Sequence, residues 1–390
     1  MQVDLWGVEA SPYLLKMEAL LTCGGIEFRR LPRDGSRWEN LLTALRLARA
    51  RRRRTVQRYP RLDPLDEYPS VPYLIVNGNE FQYDSSSVAH WLDDQLGQEA
   101  TAFFPRDPVL AFVAALIDEA FDEYGLYMVH HQRWKCSATD TQMGEYTARE
   151  MSRLYPAPLA RQIQVKLPRR QVRRCPYLFS VAPEGYHAEV EPQRVPPSRE
   201  GFPPTHALLE ESWRGYLAAM ETVLTEQPYL LGDQFTVADA SAYGQLSMNL
   251  IDPTTAAALQ SSAPRTHRWL LDIRDGKTVQ GSTGLHLSPA LQPLLAVIMR
   301  TFVPLMVQNA HAYQQFLDAG EEVFNEAAFD QGRALYDGEL LGHPFRAVAK
   351  TFQVSVWRDL RAQWQLLADT ERDVLRDWLP DAQLFCADTS

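Results

Sequence analysis

Apolar and polar positions follow two different periods along the chain, and the period changes near residue 97. Residues 2–7 (QVDLWG) read as a short strand. Ser11-Pro12 then supplies an N-cap residue and a proline suited to the first helical position. Leu14, Leu15, Ala19 and Leu21 give that helix an apolar side, and Gly24-Gly25 ends it. Residues 26–31 read as a second strand, and strand, helix and strand within so short a span predict a parallel βαβ unit. Trp38, Leu41, Leu42 and Leu45 have helical spacing and predict a further helix over about 36–56. An arginine run follows it (Arg49, Arg51, Arg52, Arg53, Arg54, Arg58), and Pro60 and Pro64 break the segment. Val71 to Val76 is a strand, 77–79 (Asn-Gly-Asn) a tight turn, and 80–83 the returning hairpin partner. Asp84-Ser85 opens a helix containing Val88, Trp91, Leu92 and Leu96, closed by Gly97.

From Pro105 onward the period is helical. Residues 108–134 are expected to form one long helix and 206–226 another. Thr236-Val-Ala-Asp239 is a capping-box-like start with Asp at N3, and the helix continues over 240–250. Six prolines within 183–204 exclude a regular element there. The tail, 285–379, carries further helical stretches around prolines 289, 293, 304 and 344.

A net charge of −10 disfavours non-specific nucleic-acid binding by the whole chain. The apolar run 294–299 is interrupted by Arg300, well short of the roughly 20 residues of a membrane span. Asp4 and Glu9 stand where a signal peptide would be basic and then apolar, so a cytoplasmic location is expected. Cys23, Cys136, Cys175 and Cys386 form neither a zinc-type spacing nor a disulfide framework.

Taken in order, Ser11-Pro12-Tyr13 after the first strand, Val71-Pro72 before the third, Asp84-Ser85 after the fourth and Phe235-Thr-Val-Ala-Asp239 in a helical second half resemble the glutathione S-transferases. The resemblance covers roughly residues 1–97 and 206–272. It implies an α/β thioredoxin-like domain followed by an all-α domain. The first would be the glutathione-binding domain, 1–97, with 33–67 as an inserted segment. The second would be 105–390, with an extension from about 276. It also implies glutathione as co-substrate, a small apolar electrophile as partner, a detoxification role and a homodimer. No metal, nucleic acid or membrane span belongs to that picture.

The implied chemistry is thiolate attack. A free thiol of pKa about 8.5 is only about 3% ionised at pH 7. Lowering that pKa by about two units raises the thiolate roughly 25-fold. Ser11, at a helix N-terminus, is the catalytic candidate: a hydroxyl donor and the helix dipole both favour the anion. Locally, the same serine serves equally well as a plain N-cap. By the resemblance, the backbone beside Val71 and a cis Pro72 would pair with the cysteinyl part of glutathione, and Asp84 and Ser85 with the γ-glutamyl ammonium and carboxylate. Tyr13, Tyr124, Tyr127, His131 and Trp134 are expected to line the electrophile pocket, their local alternative being an ordinary packed helix face. Glu119, Glu123, His130 and His131 invite a metal, but the Glu-x-x-His spacing of di-iron sites is absent. Thr236 and Asp239 are assigned to folding. The arginine run is expected to be a solvated face paired with acidic neighbours, with an acidic partner or anionic substrate as the competing reading. A cysteine at position 11 would favour disulfide chemistry, so serine there points to conjugation, isomerisation or ether cleavage. The alternative is a non-catalytic module of the same fold that binds or scaffolds.

Overall fold

The computed structural model describes residues 2–57, 71–96, 103–136, 140–187, 197–277 and 284–386. Arg58, Pro60, Pro64 and Gly97 lie outside the described residues. Four short strands, β1 (Val3–Trp6), β2 (Phe28–Leu31), β3 (Tyr73–Val76) and β4 (Glu80–Gln82), form one sheet in the order β2-β1-β3-β4. β1 and β2 are parallel, as the βαβ spacing predicts, and the β3–β4 pair is a hairpin. Asn77 and Gly78 both take positive φ, the pair of left-handed conformations that turns a hairpin tightly. Helix α1 (Pro12–Cys23) crosses from β1 to β2, α2 (Arg37–Arg53) stands between β2 and β3, and α3 (Ser85–Leu96) follows β4.

Side chains alternate across the sheet and so define two layers. Val3, Leu5, Leu74 and Val76 belong to the core that α1 and α3 share. Trp6, Leu31, Tyr73, Ile75 and Phe81 pack with Leu47 and Ala50 of α2. The capping box of Ser36 and Glu39 starts α2, and Arg54 at φ 55 ends it.

Among the described residues the rest is helices and connecting segments with one two-stranded hairpin, which the helical reading of the tail did not place. α4 (Pro108–Glu119) runs through a π-helical turn (Ala120–Gly125) into α5 (Leu126–Cys136), so the predicted long helix is present with its pitch widened midway. α6 (Met143–Met151) and α7 (Ala157–Arg174) form a hairpin. α8 (His206–Glu226), α9 (Val237–Leu246), α10 (Pro253–Ser262) and α11 (Pro264–Arg274) follow. Then come α12 (Gln292–Arg300), α13 (Phe302–Asp318) and α14 (Asn325–Gln331). Strands β5 (Leu335–Leu340) and β6 (His343–Val348) make the antiparallel hairpin, before α15 (Thr351–Leu366) and α16 (Asp369–Trp378). By length and composition 289–318 could cross a bilayer, but over half of its apolar window is buried within the fold.

α1 lies against α9, and Gly244 permits the approach. A Cβ there would stand 2.6 Å from the Pro12 carbonyl oxygen and 2.9 Å from Lys16 Cβ. Asp239 closes the start of α9: one carboxylate oxygen accepts from Thr236 N and Oγ1 at 2.9 Å each, the other from Leu230 N at 2.8 Å. Both oxygens are therefore occupied by backbone and cap, which fits the folding role expected of Thr236 and Asp239.

Candidate functional site

The register gathers the motif residues at one end of the sheet. Trp6, the last residue of β1, pairs with Leu31 of β2 and with Tyr73, the first residue of β3; Leu74 pairs with Gln82, the last of β4. The chain therefore enters α1 through Ser11, enters β3 through Pro72 and enters α3 through Asp84 at the same edge. The Val71–Pro72 bond is cis, as is Leu31–Pro32. A Cβ at Gly7 would meet Leu14 at 2.6 Å and Pro72 at 3.5 Å, so Pro72 sits against the turn into α1.

Ser11 is the N-cap of α1, its Oγ accepting from Leu14 N at a long 3.4 Å. Its own proton has no acceptor among the described residues. Asp84, at φ 68, turns its carboxylate onto its own helix and accepts from Ser86 N and Ser87 N at 3.1 Å each. Two of the amide donors that open α3 are thus engaged by Asp84. Ser11 and Ser85 are buried, at 8% and 6% exposure.

Beneath these residues lies a buried ionic cluster with little local signature in the sequence. Lys16 is fully buried on α1 and donates to Asp118 at 2.6 Å, Asp122 at 2.7 Å and Ser86 at 2.8 Å. Ser86 donates in turn to Asp118 at 2.9 Å, and Ser241 of α9 to Asp122 at 2.7 Å. Burial alone would favour the neutral amine, but Asp118 and Asp122 outweigh it and hold Lys16 charged. Burial pushes the Asp118 carboxyl up to about 6 against the pull of Lys16.

A second polar group comes from the chain's distant end. Lys350 is buried at the start of α15, within 4.3 Å of the Tyr127 ring centre and 4.8 Å of Tyr177's. Its ammonium donates to the Tyr127 hydroxyl and to the Tyr177 carbonyl, and Gln353 donates to the same hydroxyl at 2.9 Å. Burial lowers Lys350 to about 7 although Glu123 opposes the shift. Glu123 is half-buried and faces Gln353, Lys350, Asp122 and Asp84. Burial lifts its carboxyl to about 7, with Gln353 and Lys350 pulling the other way. Glu119 beside it is also driven well above the carboxylate range, first by burial and then by Asp118 and Asp122.

A carboxyl whose folded pKa lies above its unfolded value of about 4.5 weakens the fold as pH rises through that interval. Glu123→Gln removes this penalty. The stability advantage of the variant over the parent should therefore grow from pH 4.5 to pH 7 and reach about 1–3 kcal/mol. Urea titrations at several pH values check it; a constant difference between the two proteins defeats the assignment.

The expected electrophile pocket is differently built. Tyr13 donates to the Asp122 carbonyl at 3.1 Å, and burial, then Glu123 and Asp122, keep it protonated. Tyr124 is fully buried with its hydroxyl 2.7 Å from Ser212 Oγ. Tyr127 stacks on Phe179 at 5.3 Å. His131 lies 2.7 Å from Ser180 Oγ and packs on His206, and Trp134 packs with Val172 and Cys175. Tyr124, Tyr127, His131 and Trp134 thus fill core rather than line an open pocket, because α8, α7 and the 177–180 turn cover the helix face that carries them. The Glu119, Glu123, His130 and His131 set does not converge: His130 turns to Gln171 and Cys175. Among the described residues no group of three His, Cys, Asp or Glu is placed to hold a metal.

Residues 192–271 match the family model of the glutathione S-transferase C-terminal domain. No curated protein matches the chain in sequence. Among solved structures, a beta-etherase from Sphingobium sp. strain SYK-6 is 16% identical with a TM-score of 0.41, covering 75% of this chain and 98% of its own. A glutathione S-transferase from Methylobacterium radiotolerans, in complex with glutathione sulfonate, is 16% identical with a TM-score of 0.35, covering 74% and 99%. One from Pseudomonas fluorescens is 16% identical with a TM-score of 0.33, covering 70% and 94%. The fold is a small α/β sheet domain followed by a helical one, and the match to the glutathione S-transferase C-terminal domain falls within the helical part.

Proposed function

We propose that the protein is a glutathione transferase that activates the glutathione thiol with Ser11 for attack on a small apolar electrophile. The observation that carries the reading is the Ser11 hydroxyl. It stands at a helix N-terminus, in the β1–α1 turn that Pro72 packs against at Gly7, and its proton has no acceptor among the described residues, leaving it to donate to a sulfur anion. The Val71 backbone, Pro72, Asp84 and Ser85 would hold the tripeptide, within a binding domain of residues 1–97 and against a helical domain of 105–390. Glu123 adds a carboxyl that titrates near neutrality on the same side, suited to giving a proton to a departing group. A cytoplasmic, detoxifying, homodimeric enzyme without a metal belongs to this reading.

The non-catalytic alternative draws on a different observation. Ser11 and Ser85 are buried, and the carboxylates of Asp84, Asp122 and Glu123 near them oppose a thiolate. Chromatography on immobilised glutathione followed by an aryl-halide conjugation assay separates the readings. Retention with turnover is expected. Retention without turnover favours the binding module, and no retention removes glutathione from both.

A further inference from the structure

Helix α2 has two unlike faces. Asn40, Thr43, Leu47 and Ala50 turn inward onto the sheet. On the opposite side Trp38, Leu41, Leu42 and Leu45, spaced i, i+3, i+4 and i+7, form one outward stripe. Their exposures are 75%, 39%, 48% and 59%. One or two turns later the same face carries Arg46, Arg49, Arg52 and Arg53, all exposed. Residues 37–54 hold seven arginines against one acid, Glu39, and Arg29 pairs with that acid at 2.8 Å. Arg46 donates to the Gly78 carbonyl at 3.2 Å. Arg49, Arg52, Arg53 and Arg54 make no ion pair among the described residues, so the expected acidic neighbours are not found there.

The α6–α7 hairpin meets α2 at residues of its inward face. Leu154, between those helices, shares a core cluster with Leu47, and Asn40 of α2 donates to the Arg153 carbonyl at 3.0 Å. α7 carries Arg161, Lys166, Arg169, Arg170, Arg173 and Arg174 with no acid, and exposes Leu159 and Val165. Among the described residues only Arg174 of these is ion-paired, to Glu326. Residues 37–54 and 149–174 together hold 15 of the chain's 39 lysines and arginines, although the chain as a whole is acidic.

We propose that α2, with the basic α6–α7 hairpin beside it, docks the protein onto a bilayer surface that carries anionic lipid. The chemistry of the face selects that occupant. Leucines and a tryptophan on one side of a helix suit the headgroup–acyl boundary, and adjoining arginines suit lipid phosphates. A nucleic acid would satisfy the arginines but leave the apolar stripe in water. A second copy meeting this face two-fold symmetrically would bring arginines against arginines. α2 covers the opposite side of the sheet from α1 and α3, so docking leaves the Ser11 end free and does not depend on the glutathione reading.

The test is sedimentation of the full chain with vesicles of phosphatidylcholine alone or mixed with phosphatidylglycerol, at low and high salt. Binding is expected only to the anionic vesicles and should weaken with salt. Leu41→Gln/Leu45→Gln and Arg49→Gln/Arg52→Gln/Arg53→Gln should each weaken it roughly ten-fold or more. Their melting temperatures should match the parent, because these side chains are exposed. Absence of vesicle binding overturns the proposal, as does equal binding to neutral vesicles or binding that both variants retain. A concentration-dependent dimer in analytical ultracentrifugation that the same variants abolish would instead make this face a contact between copies. Tighter binding to an oligonucleotide than to vesicles would also overturn it.

Discussion

Replacing Lys16 with methionine should cost the fold about 3–5 kcal/mol, the usual consequence of deleting one partner of a buried ion pair. Methionine matches the length of the lysine stem, so little packing is lost. What is lost is the charge that neutralises Asp118 and Asp122, which are themselves 3% and 5% exposed. Ser86 also loses the ammonium it accepts from, so α1, α3 and α4 come apart at a shared point. At about 2–4 °C per kcal/mol, the melting temperature should fall on the order of 10 °C. The loss should be greater at pH 8 than at pH 5. The Asp118 carboxylate is stranded without a cation at the higher pH, whereas at the lower one protonation relieves it. The sign follows from Asp118, whose folded carboxyl is already raised to about 6 and whose ionisation therefore weakens the fold as pH rises. Lys16→Met/Asp118→Asn/Asp122→Asn should recover much of the stability, because no buried charge is then left unpaired. A loss below about 1 kcal/mol, or one independent of pH, would show that the cluster is not the tie between the two domains.

The same cluster marks where sequence reading reaches and where it stops. The sheet and its helices were legible because each start carries a local cause: Ser11-Pro12 for α1, Asn77-Gly78 for the hairpin, Thr236 with Asp239 for α9. Trp38, Leu41, Leu42 and Leu45 correctly announced a helix, but periodicity names a stripe without saying which way it faces. In α2 the buried stripe is Asn40, Thr43, Leu47 and Ala50, the less apolar one. The pocket reading of the aromatic residues on the π-helical turn and α5 went astray for the converse reason. Tyr124, Tyr127 and His131 looked like a pocket wall because their partners, Ser212, Phe179 and Ser180, are 49 to 88 residues away. Lys16 left a faint trace, a lysine among apolar neighbours, and Asp118 and Asp122 share a helix face. Nothing local joined the three across roughly a hundred residues. Lys350 and Gln353 gave no signal at all, since their partner Tyr127 precedes them by 223 and 226 residues.

Ser11→Ala should separate catalysis from capping. If the hydroxyl donates to the glutathione sulfur, its removal should leave binding nearly unchanged, because in the proposed mode Asp84, Ser85 and the Val71 backbone would hold the tripeptide. Turnover should drop roughly 10- to 150-fold, since a hydrogen bond to a charged group is worth about 1.5–3 kcal/mol and each decade of rate about 1.4. The bound thiol should titrate at a higher pH. A purely capping serine predicts the opposite pair of results: a stability loss of about 0.5–2 kcal/mol with the thiol titration unmoved. The long 3.4 Å bond to Leu14 N places the expected stability loss at the lower end of that range. Tyr13 does not take over, because its hydroxyl is committed to the Asp122 carbonyl and burial, then Glu123 and Asp122, hold its proton. Thiolate absorbance against pH and thermal melting, measured on the same variant, decide between the two. An unshifted titration rules out Ser11 as the activating group and leaves the backbone amides at the start of α1 as the remaining source of positive potential.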